Sequence, residues 1–271
     1  MPGIDAILRD VTATVSSGSV APATLVVMAH PDDEVLALGA RLSRHAGSFF
    51  VHVTDGVPLD GSDAARYGFT TLDQYRDARA QELRHAFRVA HIPESRSERF
   101  DIPDQCASFH LEELTERLRT LIFEIEPVAI LTHAYEGGHP DHDASAFAAH
   151  AAAAMIVPQS RPVLIEAALY HAGPDGRLET GCFLPWPVPL PEITWRLDPA
   201  EKLVRQELLD CFVTQRDTLR YFDAGVERYR IAPCYDFTEP PPQRRLFYEQ
   251  FPWGMTGKRF RRLAAKAMAC R

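Results

Sequence analysis

The sequence lacks the features that mark three common classes of protein. Its five cysteines are scattered, with no C-x-x-C pair that would indicate a thiolate zinc site or a redox motif. Acidic residues outnumber basic ones, and the formal net charge of −8 opposes binding to a phosphate backbone. No apolar run reaches the roughly 18 residues that a membrane helix requires. We therefore expect no nucleic-acid partner and no membrane span.

Two further absences narrow the function. The N-terminus has no basic start followed by an apolar stretch, so it does not resemble a signal peptide, and we expect a cytoplasmic protein. No G-x-G-x-x-G follows the first predicted strand, where the residues are instead HPDDE at 30–34. The acids of this motif would repel a pyrophosphate unless a metal intervened. A non-catalytic sugar- or nucleotide-binding module is therefore the less favoured alternative.

Apolar runs typical of strands alternate with amphipathic patterns typical of helices. Four runs have strand character, and each ends on turn-forming residues: 23–29, 49–54, 128–132 and 163–170. Two helical stripes lie between them, at 75–90 and 111–125, and Pro127 ends the second one at Glu126. This alternation predicts an α/β fold with a mostly parallel sheet and helices on both faces.

The C-terminal part is richer in proline. Residues 180–199 predict an extended crossing without regular structure, and the D-P-A-E sequence at 198–201 predicts the start of a helix through about residue 222. A basic amphipathic helix at 257–270 closes the chain; we expect it to dock on the domain, with binding to an anionic membrane as the alternative. The whole chain, 1–271, is predicted to be a single domain with a core at about 20–180 and a proline-rich, helical C-terminal extension at about 198–271.

Two clusters of acids and histidines follow separate predicted strands. HPDDE follows the first strand, and HPDH at 139–142 follows the strand that ends near residue 133. Because ligands of α/β sheets gather at the carboxyl ends of the strands, both clusters can line one crevice. His30, Asp33 and His142 then provide three protein ligands of the types that a catalytic zinc ion takes, with the fourth position open. Fe²⁺ or Co²⁺ could occupy the same ligand set.

Three neighbouring side chains complete a hydrolytic site. A zinc ion lowers the pKa of a bound water to about 7, and Asp32 is the candidate base for its proton. His139 would face the developing oxyanion or the leaving amine. Asp141 would hold the ring of His139, as carboxylates commonly do for histidine.

Three other residues are weaker candidates for contact with a substrate. Asp55 and His171 follow strand ends that face the predicted crevice, although such residues more often form turns or buried hydrogen bonds. Arg79 lies on a predicted helix, where a charged side chain is ordinary. We expect it either to bind the substrate or to order the site.

The two motifs, HPDDE and HPDH within EGGHPDH, resemble those of the PIG-L or LmbE-like de-N-acetylases and occur in the same order. TDG at 54–56 and the R-x-x-E sequence at 79–82 add weaker likeness. The resemblance implies a Rossmann-like fold, a zinc ion, the ligand and catalytic roles given above, and removal of an acyl group from an N-acetylglucosamine-type amine. Some members have a tyrosine where Gly137 stands here, so a tyrosine contact to the oxyanion is not expected from this position.

The leading hypothesis is therefore hydrolysis of an acetamide on an N-acetylglucosamine-type sugar or sugar conjugate, giving acetate and a free amine. The alternative keeps the site and changes the substrate to a thiol-sugar conjugate or a longer N-acyl amide. In either case the expected partner is a small-molecule amino-sugar conjugate. A homo-oligomer is compatible with the sequence, which does not determine the oligomeric state.

Overall fold

The structure is a computed structural model that describes residues 3–13, 20–222, 225–242 and 245–269. Its strands are β1 Thr24–Met28, β2 Phe49–Pro58, β3 Ser97–Asp104, β4 Ala129–His133, β5 Val163–Ala167, β6 Tyr170–Ala172, β7 Leu178–Thr180, β8 Glu192–Arg196 and β9 Val226–Ile231. Its α-helices are α1 Ile4–Thr12, α2 Asp33–Leu38, α3 Ser62–Arg66, α4 Leu72–Val89, α5 Leu111–Ile125, α6 Pro140–Ala154, α7 Pro199–Asp210, α8 Arg216–Leu219 and α9 Gly257–Ala269. Short 3-10 helices lie at Gly39–His45, Glu94–Arg96, Ala107–Phe109, Pro158–Ser160, Val213–Gln215 and Phe247–Gln250.

Seven strands form the central sheet in the order β3-β2-β1-β4-β5-β9-β8. The first five in this order run parallel, whereas β9 pairs antiparallel with both β5 and β8. Strands β6 and β7 form a separate antiparallel hairpin. The predicted α/β fold with a mostly parallel sheet is confirmed.

Several boundaries differ from those expected from the sequence. Strand β2 does not end at residue 54 but continues to Pro58, because β3 pairs with it as far as the Pro58–Asp104 register, with two register shifts on the way. The run at 163–170 divides into β5 and β6, since Ala168 leaves the ladder of β4 and donates its N–H to the carbonyl of Arg228. The helix expected through residue 222 ends at Asp210 and is followed by a 3-10 turn and α8.

The C-terminal part contributes strands as well as helices. Strand β8 lies inside the proline-rich segment that was expected to have no regular structure, and its alternating exposure suits an edge strand that pairs only with β9. The extension expected at about 198–271 contains β9 between its helices. The helix start at Asp198 is confirmed, because Asp198 and Glu201 form a reciprocal capping box. Residues 270 and 271 lie outside the described ranges.

Two apolar cores pack on opposite faces of the sheet. Alternate residues of β1 divide between them: Leu25 and Val27 face α5 and α6, while Val26 and Met28 face α2 and α4. The apolar face of α9 joins the first core, where Phe260 is fully buried. This face is therefore docked, as expected, and is not free to lie on a membrane. None of the helices in the described ranges has the length and apolar character needed to cross a bilayer.

Candidate metal and catalytic site

Neighbouring strands bring the two motifs together. Strands β1 and β4 pair in parallel, with Leu25 opposite Ile130, so their carboxyl ends lie at the same edge of the sheet. The HPDDE loop leaves β1 and leads into α2. The second motif begins α6, with His139 as its N-cap and Pro140 in the first helical position, where proline needs no hydrogen-bond partner. The convergence expected from the sequence is thus present.

His30, Asp33 and His142 form a compact buried group, which is called the His30 group below. The Nδ1 atom of His30 lies 3.1 Å from Asp33 Oδ2, and the Nε2 atom of His142 lies 3.3 Å from the same oxygen. One ligand atom from each of the three residues falls within 4.8 Å of the others. Burial alone would raise the pKa of Asp33, but the neighbouring charges of His142 and His133 hold it well below its usual value.

Asp104, at the end of β3, was not anticipated from the sequence. Its Oδ1 atom lies 3.0 Å from Nε2 of His30, the ring nitrogen opposite the one that faces Asp33. Burial alone would lower the pKa of His30 and raise that of Asp104. The attraction between the two groups outweighs burial, so the pKa of His30 is raised and that of Asp104 is lowered. A carboxylate behind a histidine is the usual arrangement that orients a metal ligand. The residues of β3 are mostly polar, so the sequence pattern did not predict this strand or the acid at its end.

His133 is a second residue that sequence reasoning missed. Its ring stacks on that of His142, with centroids 3.9 Å apart, and its Nε2 atom accepts a hydrogen bond of 2.8 Å from the N–H of Ala29. Burial, followed by the neighbouring charge of His142, lowers its pKa well below the ordinary value. The residue ties the end of β4 to the start of the HPDDE loop, and its position at a strand end was the available signal.

Asp32 adopts an unusual backbone conformation beside His30, Asp33 and His142. Its φ of 124° is rare for a residue other than glycine, and such strain is held only where the surroundings fix it. Glu34 accepts a hydrogen bond from the Asp32 N–H and one from Nε2 of His52. Arg79 donates to the carbonyl of Pro31 at 2.8 Å and contacts Asp32 Oδ2 at 3.3 Å. Burial raises the pKa of the Asp32 carboxyl, which Arg79 partly opposes.

The contact expected between His139 and Asp141 takes a different form. Their Nδ1 and Oδ2 atoms are 3.8 Å apart, too far for a hydrogen bond; the backbone N–H of Asp141 donates to Nδ1 at 3.2 Å instead. The Asp141 carboxylate accepts hydrogen bonds from the N–H groups of Gln105 and Ala107, because the loop after β3 folds over it. The ring of His139 is thus held by the helix start, which leaves its Nε2 atom to carry the proton.

The three weaker candidates lie in different places. Arg79 is buried against the HPDDE loop, as the ordering role predicts, and does not extend toward solvent. Asp55 is buried, and its two oxygens accept hydrogen bonds from the N–H of Val57 and from Arg76. These are the buried hydrogen bonds that were the alternative to contact with a substrate. The ring of His171 contacts Cys182 and the carbonyl of Ala172 rather than the His30 group.

Residues from the C-terminal half form one wall of the site. The Trp253 ring lies 4.8 Å from that of His139, and the Tyr170 ring lies 5.0 Å from that of His142. A Cβ atom on Gly138 would stand 2.2 Å from the carbonyl oxygen of Tyr170, so only glycine fits there. At Gly137, a Cβ atom would stand 2.3 Å from Cδ2 of Leu246, so a tyrosine would not fit there without movement of Leu246.

The donor set fits a divalent transition metal. It comprises two imidazole nitrogens and one carboxylate oxygen, which are ligands that zinc accepts. Although it is buried, Nε2 of His142 has no hydrogen-bond partner among the described residues. A buried polar atom is normally satisfied, so this ring nitrogen, 3.3 Å from Asp33 Oδ2, suits coordination of a metal ion.

Comparison with known proteins agrees with the motifs. Residues 25–153 match the family model described as GlcNAc-PI de-N-acetylase, PIG-L. A probable N-acetyl-alpha-D-glucosaminyl L-malate deacetylase 2 of Bacillus cereus is 28% identical over 144 residues, which are 52% of this chain and 64% of that protein. A 1D-myo-inositol 2-acetamido-2-deoxy-alpha-D-glucopyranoside deacetylase 2 of Catenulispora acidiphila is 30% identical over 149 residues, with coverage of 46% and 49%. The chain thus spans less than two thirds of the length of either relative.

Solved structures share the fold. The zinc-inhibited form of teicoplanin deacetylase Orf2 superposes with a TM-score of 0.58 at 16% identity, covering 79% of this chain and 99% of that one. The A40926 pseudoaglycone deacetylase Dbv21 gives 0.58 at 19% identity, with coverage of 77% and 96%. Both acid-histidine motifs lie inside residues 25–153, the segment that is similar to the PIG-L family model.

Proposed function

We propose that the chain is a metal-dependent deacetylase that hydrolyses the acetamide of an N-acetylglucosamine-type sugar conjugate. The observation that carries the proposal is the convergence of His30, Asp33 and His142 beside Asp32 and His139. Two relatives named as deacetylases of N-acetylglucosamine conjugates support the substrate class.

His30, Asp33 and His142 are the proposed ligands, and zinc is the proposed metal. When bound, zinc supplies Lewis acidity toward a carbonyl oxygen and lowers the pKa of a water from 15.7 to about 7. Nδ1 of His30 is the ligand atom, because its Nε2 atom is engaged by Asp104 at 3.0 Å. His133 stacks on His142 and fixes the plane of that ring.

Asp32 is the proposed general base. Its carboxylate adjoins Asp33 in the chain, and the Arg79 contact at 3.3 Å together with the buried Glu34 hydrogen bond fixes its backbone and side chain. A positioned carboxylate can accept the proton of the attacking water as the carbon–oxygen bond forms. Transfer of that proton to the leaving nitrogen then allows the carbon–nitrogen bond to break, which releases acetate and a free amine.

His139 is the proposed donor to the acetamide oxygen or the leaving nitrogen. Its Nδ1 atom accepts the Asp141 N–H, so in the neutral ring the proton is on Nε2, where it can donate. Burial and the neighbouring charge of His30 lower the pKa of His139 well below its ordinary value, which favours this neutral form. The Trp253 ring packs against this buried ring, with centroids 4.8 Å apart.

Metal analysis of purified variants tests the ligand set. We expect His30→Ala and His142→Ala to lose the metal from this site, and His85→Ala, an exposed histidine on α4, to keep it. Retention of full occupancy at this site in either ligand variant would refute the assignment.

The role of Asp32 is tested by Asp32→Asn, which keeps the shape of the side chain. We expect the metal to remain and turnover to fall by about 10²–10⁴-fold, the usual contribution of a general base. Near-normal turnover with metal bound would remove Asp32 from this role.

A panel of substrates separates the proposed activity from its alternative. N-acetylglucosamine conjugates, a thiol-sugar conjugate and longer N-acyl analogues are each assayed for release of free amine. Preference for acetyl over longer acyl groups supports the deacetylase, whereas preference for a longer acyl chain favours the general amidase. Absence of release from every member would favour a binding module instead.

A further inference from the structure

A group of side chains that could hold a metal ion, with no residue in common with the His30 group, lies on the β6–β7 hairpin and the residues that follow it. Nε2 of His171 is 3.6 Å from Sγ of Cys182, and this sulfur is 4.0 Å from a carboxylate oxygen of Glu179. One ligand atom from each of the three falls within 4.8 Å of the others. We propose that His171, Glu179 and Cys182 bind a second zinc ion, separate from the His30 group and without a part in the hydrolytic step.

The distances fit tetrahedral coordination. With Zn–N and Zn–S bonds of about 2.0–2.1 and 2.3 Å, two tetrahedral ligands lie about 3.6 Å apart. The His171–Cys182 distance equals this value, and the Cys182–Glu179 distance exceeds it by an amount that a small side-chain rotation removes. Nitrogen, sulfur and oxygen are all zinc ligands, and three protein groups leave a fourth position to water.

The histidine is oriented for coordination. Nδ1 of His171 lies 3.0 Å from the carbonyl of Ala172, which can only accept, so Nδ1 carries the proton. The lone pair of Nε2 therefore points at the Cys182 sulfur. Metal-ligating histidines usually donate their other N–H in this way, which fixes the tautomer.

The backbone around the hairpin lets the three groups approach. A Cβ atom on Gly173 would stand 2.5 Å from a carboxylate oxygen of Glu179, so the glycine makes room for that side chain. Gly181 has a φ of 66° and turns the chain from β7 toward Cys182. Cys182 also lines an open cleft of about 470 Å³, which provides a path for an ion to enter.

The second site would brace the wall of the first. Consecutive residues of a strand point to opposite faces, so His171 faces the second group while Tyr170 packs on His142 of the first. Zinc joins the hairpin to the segment after it and limits movement of Tyr170. Binding displaces the thiol proton of Cys182 to solvent, since the thiolate is the ligand form.

Cobalt spectroscopy tests the proposal, because the second group contains sulfur and the His30 group does not. Metal-free protein titrated with Co²⁺ is expected to show near-ultraviolet absorption from thiolate-to-cobalt charge transfer. Cys182→Ser should abolish this absorption, and Cys234→Ser, which removes an exposed free thiol, should leave it unchanged. Persistence of the absorption in Cys182→Ser, or its absence from folded wild-type protein saturated with Co²⁺, overturns the proposal.

Zinc stoichiometry distinguishes this proposal from the proposed function. We expect two zinc ions in the wild type, one in His142→Ala and one in His171→Gln, with circular dichroism confirming the fold of each. The difference in unfolding temperature between the wild type and His171→Gln should also be larger in excess zinc than in chelator. One zinc ion in the wild type, lost in His142→Ala, would refute the second site and leave the deacetylase proposal standing.

Discussion

The buried ring of His45 should make the protein lose stability in mild acid. His45 is fully buried; its Nε2 atom lies 3.1 Å from the carbonyl of Val11 and its Nδ1 atom 3.0 Å from the hydroxyl of Ser48. Burial, only partly opposed by the Val11 carbonyl, lowers its pKa from 6.5 to about 4. The folded protein therefore holds the neutral ring at pH values where the unfolded chain already binds a proton.

The sign and size of the effect follow from this difference. Stability from the neutral ring of His45 is complete above the unfolded-state pKa of 6.5 and is lost as the pH falls toward 4. Between pH 7 and pH 5 the loss amounts to about 2 kcal/mol, and it approaches about 3 kcal/mol below the folded-state pKa. Guanidinium denaturation of the wild type and of a variant without this ring, at pH 7, 6 and 5, measures the effect as the difference between the two.

The matched variant is His45→Gln, whose amide can still donate to Val11. It should be less stable than the wild type at pH 7, but its free energy of unfolding should fall by about 2 kcal/mol less on going to pH 5. His85→Gln removes an exposed imidazole and should retain the wild-type dependence on pH. Equal slopes for the wild type and His45→Gln would show that the reasoning about the buried ring is wrong.

Three further substitutions test the packing around the site. Gly138→Ala should lower the free energy of unfolding by about 1–3 kcal/mol, because its Cβ atom would meet the Tyr170 carbonyl at 2.2 Å; chemical denaturation measures this. Arg79→Met should lower kcat by about 10²-fold with the metal retained, since Asp32 loses the contact that holds it; steady-state kinetics and metal analysis measure both. Phe260→Ala should cost about 3–5 kcal/mol of stability, because the ring is fully buried where α9 docks; thermal or chemical denaturation measures the loss.

Each of these substitutions has a control in the same chain. Gly47→Ala adds a Cβ atom whose nearest neighbour is 3.8 Å away and should be tolerated. Arg88→Met changes an exposed arginine on the same helix as Arg79 and should keep kcat. Met268→Ala, on the same helix as Phe260, removes a partly exposed side chain and should cost less stability. A control that behaves like its partner would contradict the corresponding argument.

Local sequence patterns were sufficient for part of the regular structure, namely strands β1, β2, β4 and β5 and helices α4, α5, α7 and α9. Helix α5 ends where Pro127 required, and the capping box at Asp198 begins α7 as expected, because both signals act over four residues or fewer. Strand β3 escaped notice because its residues are mostly polar. Strand β8 escaped because its proline-rich surroundings suggested a crossing, whereas pairing with β9 makes it regular.

Contacts between distant segments could not be read from local patterns. Asp104 stands 74 residues from His30, and it reaches that ring only because β3 and β1 are both neighbours of β2. Trp253 likewise reaches His139 because α9 and the segment before it return to the first core. The Asp141 carboxylate does not accept a hydrogen bond from the His139 ring, because it accepts the N–H groups of the loop after β3 instead.

The sequence by itself determined which residues are available for chemistry. Two acid-histidine motifs after separate apolar runs predicted His30, Asp33 and His142 as metal ligands, since residue type and position after a strand are properties of the chain alone. The tertiary structure decided which of their neighbours act on them. Strand order and the return of the C-terminal half are long-range properties; they set Asp104 behind His30 and turned His171 toward Cys182. The position of a residue in a motif predicts that it is a candidate ligand, but only the folded structure fixes the distance between two candidate ligands.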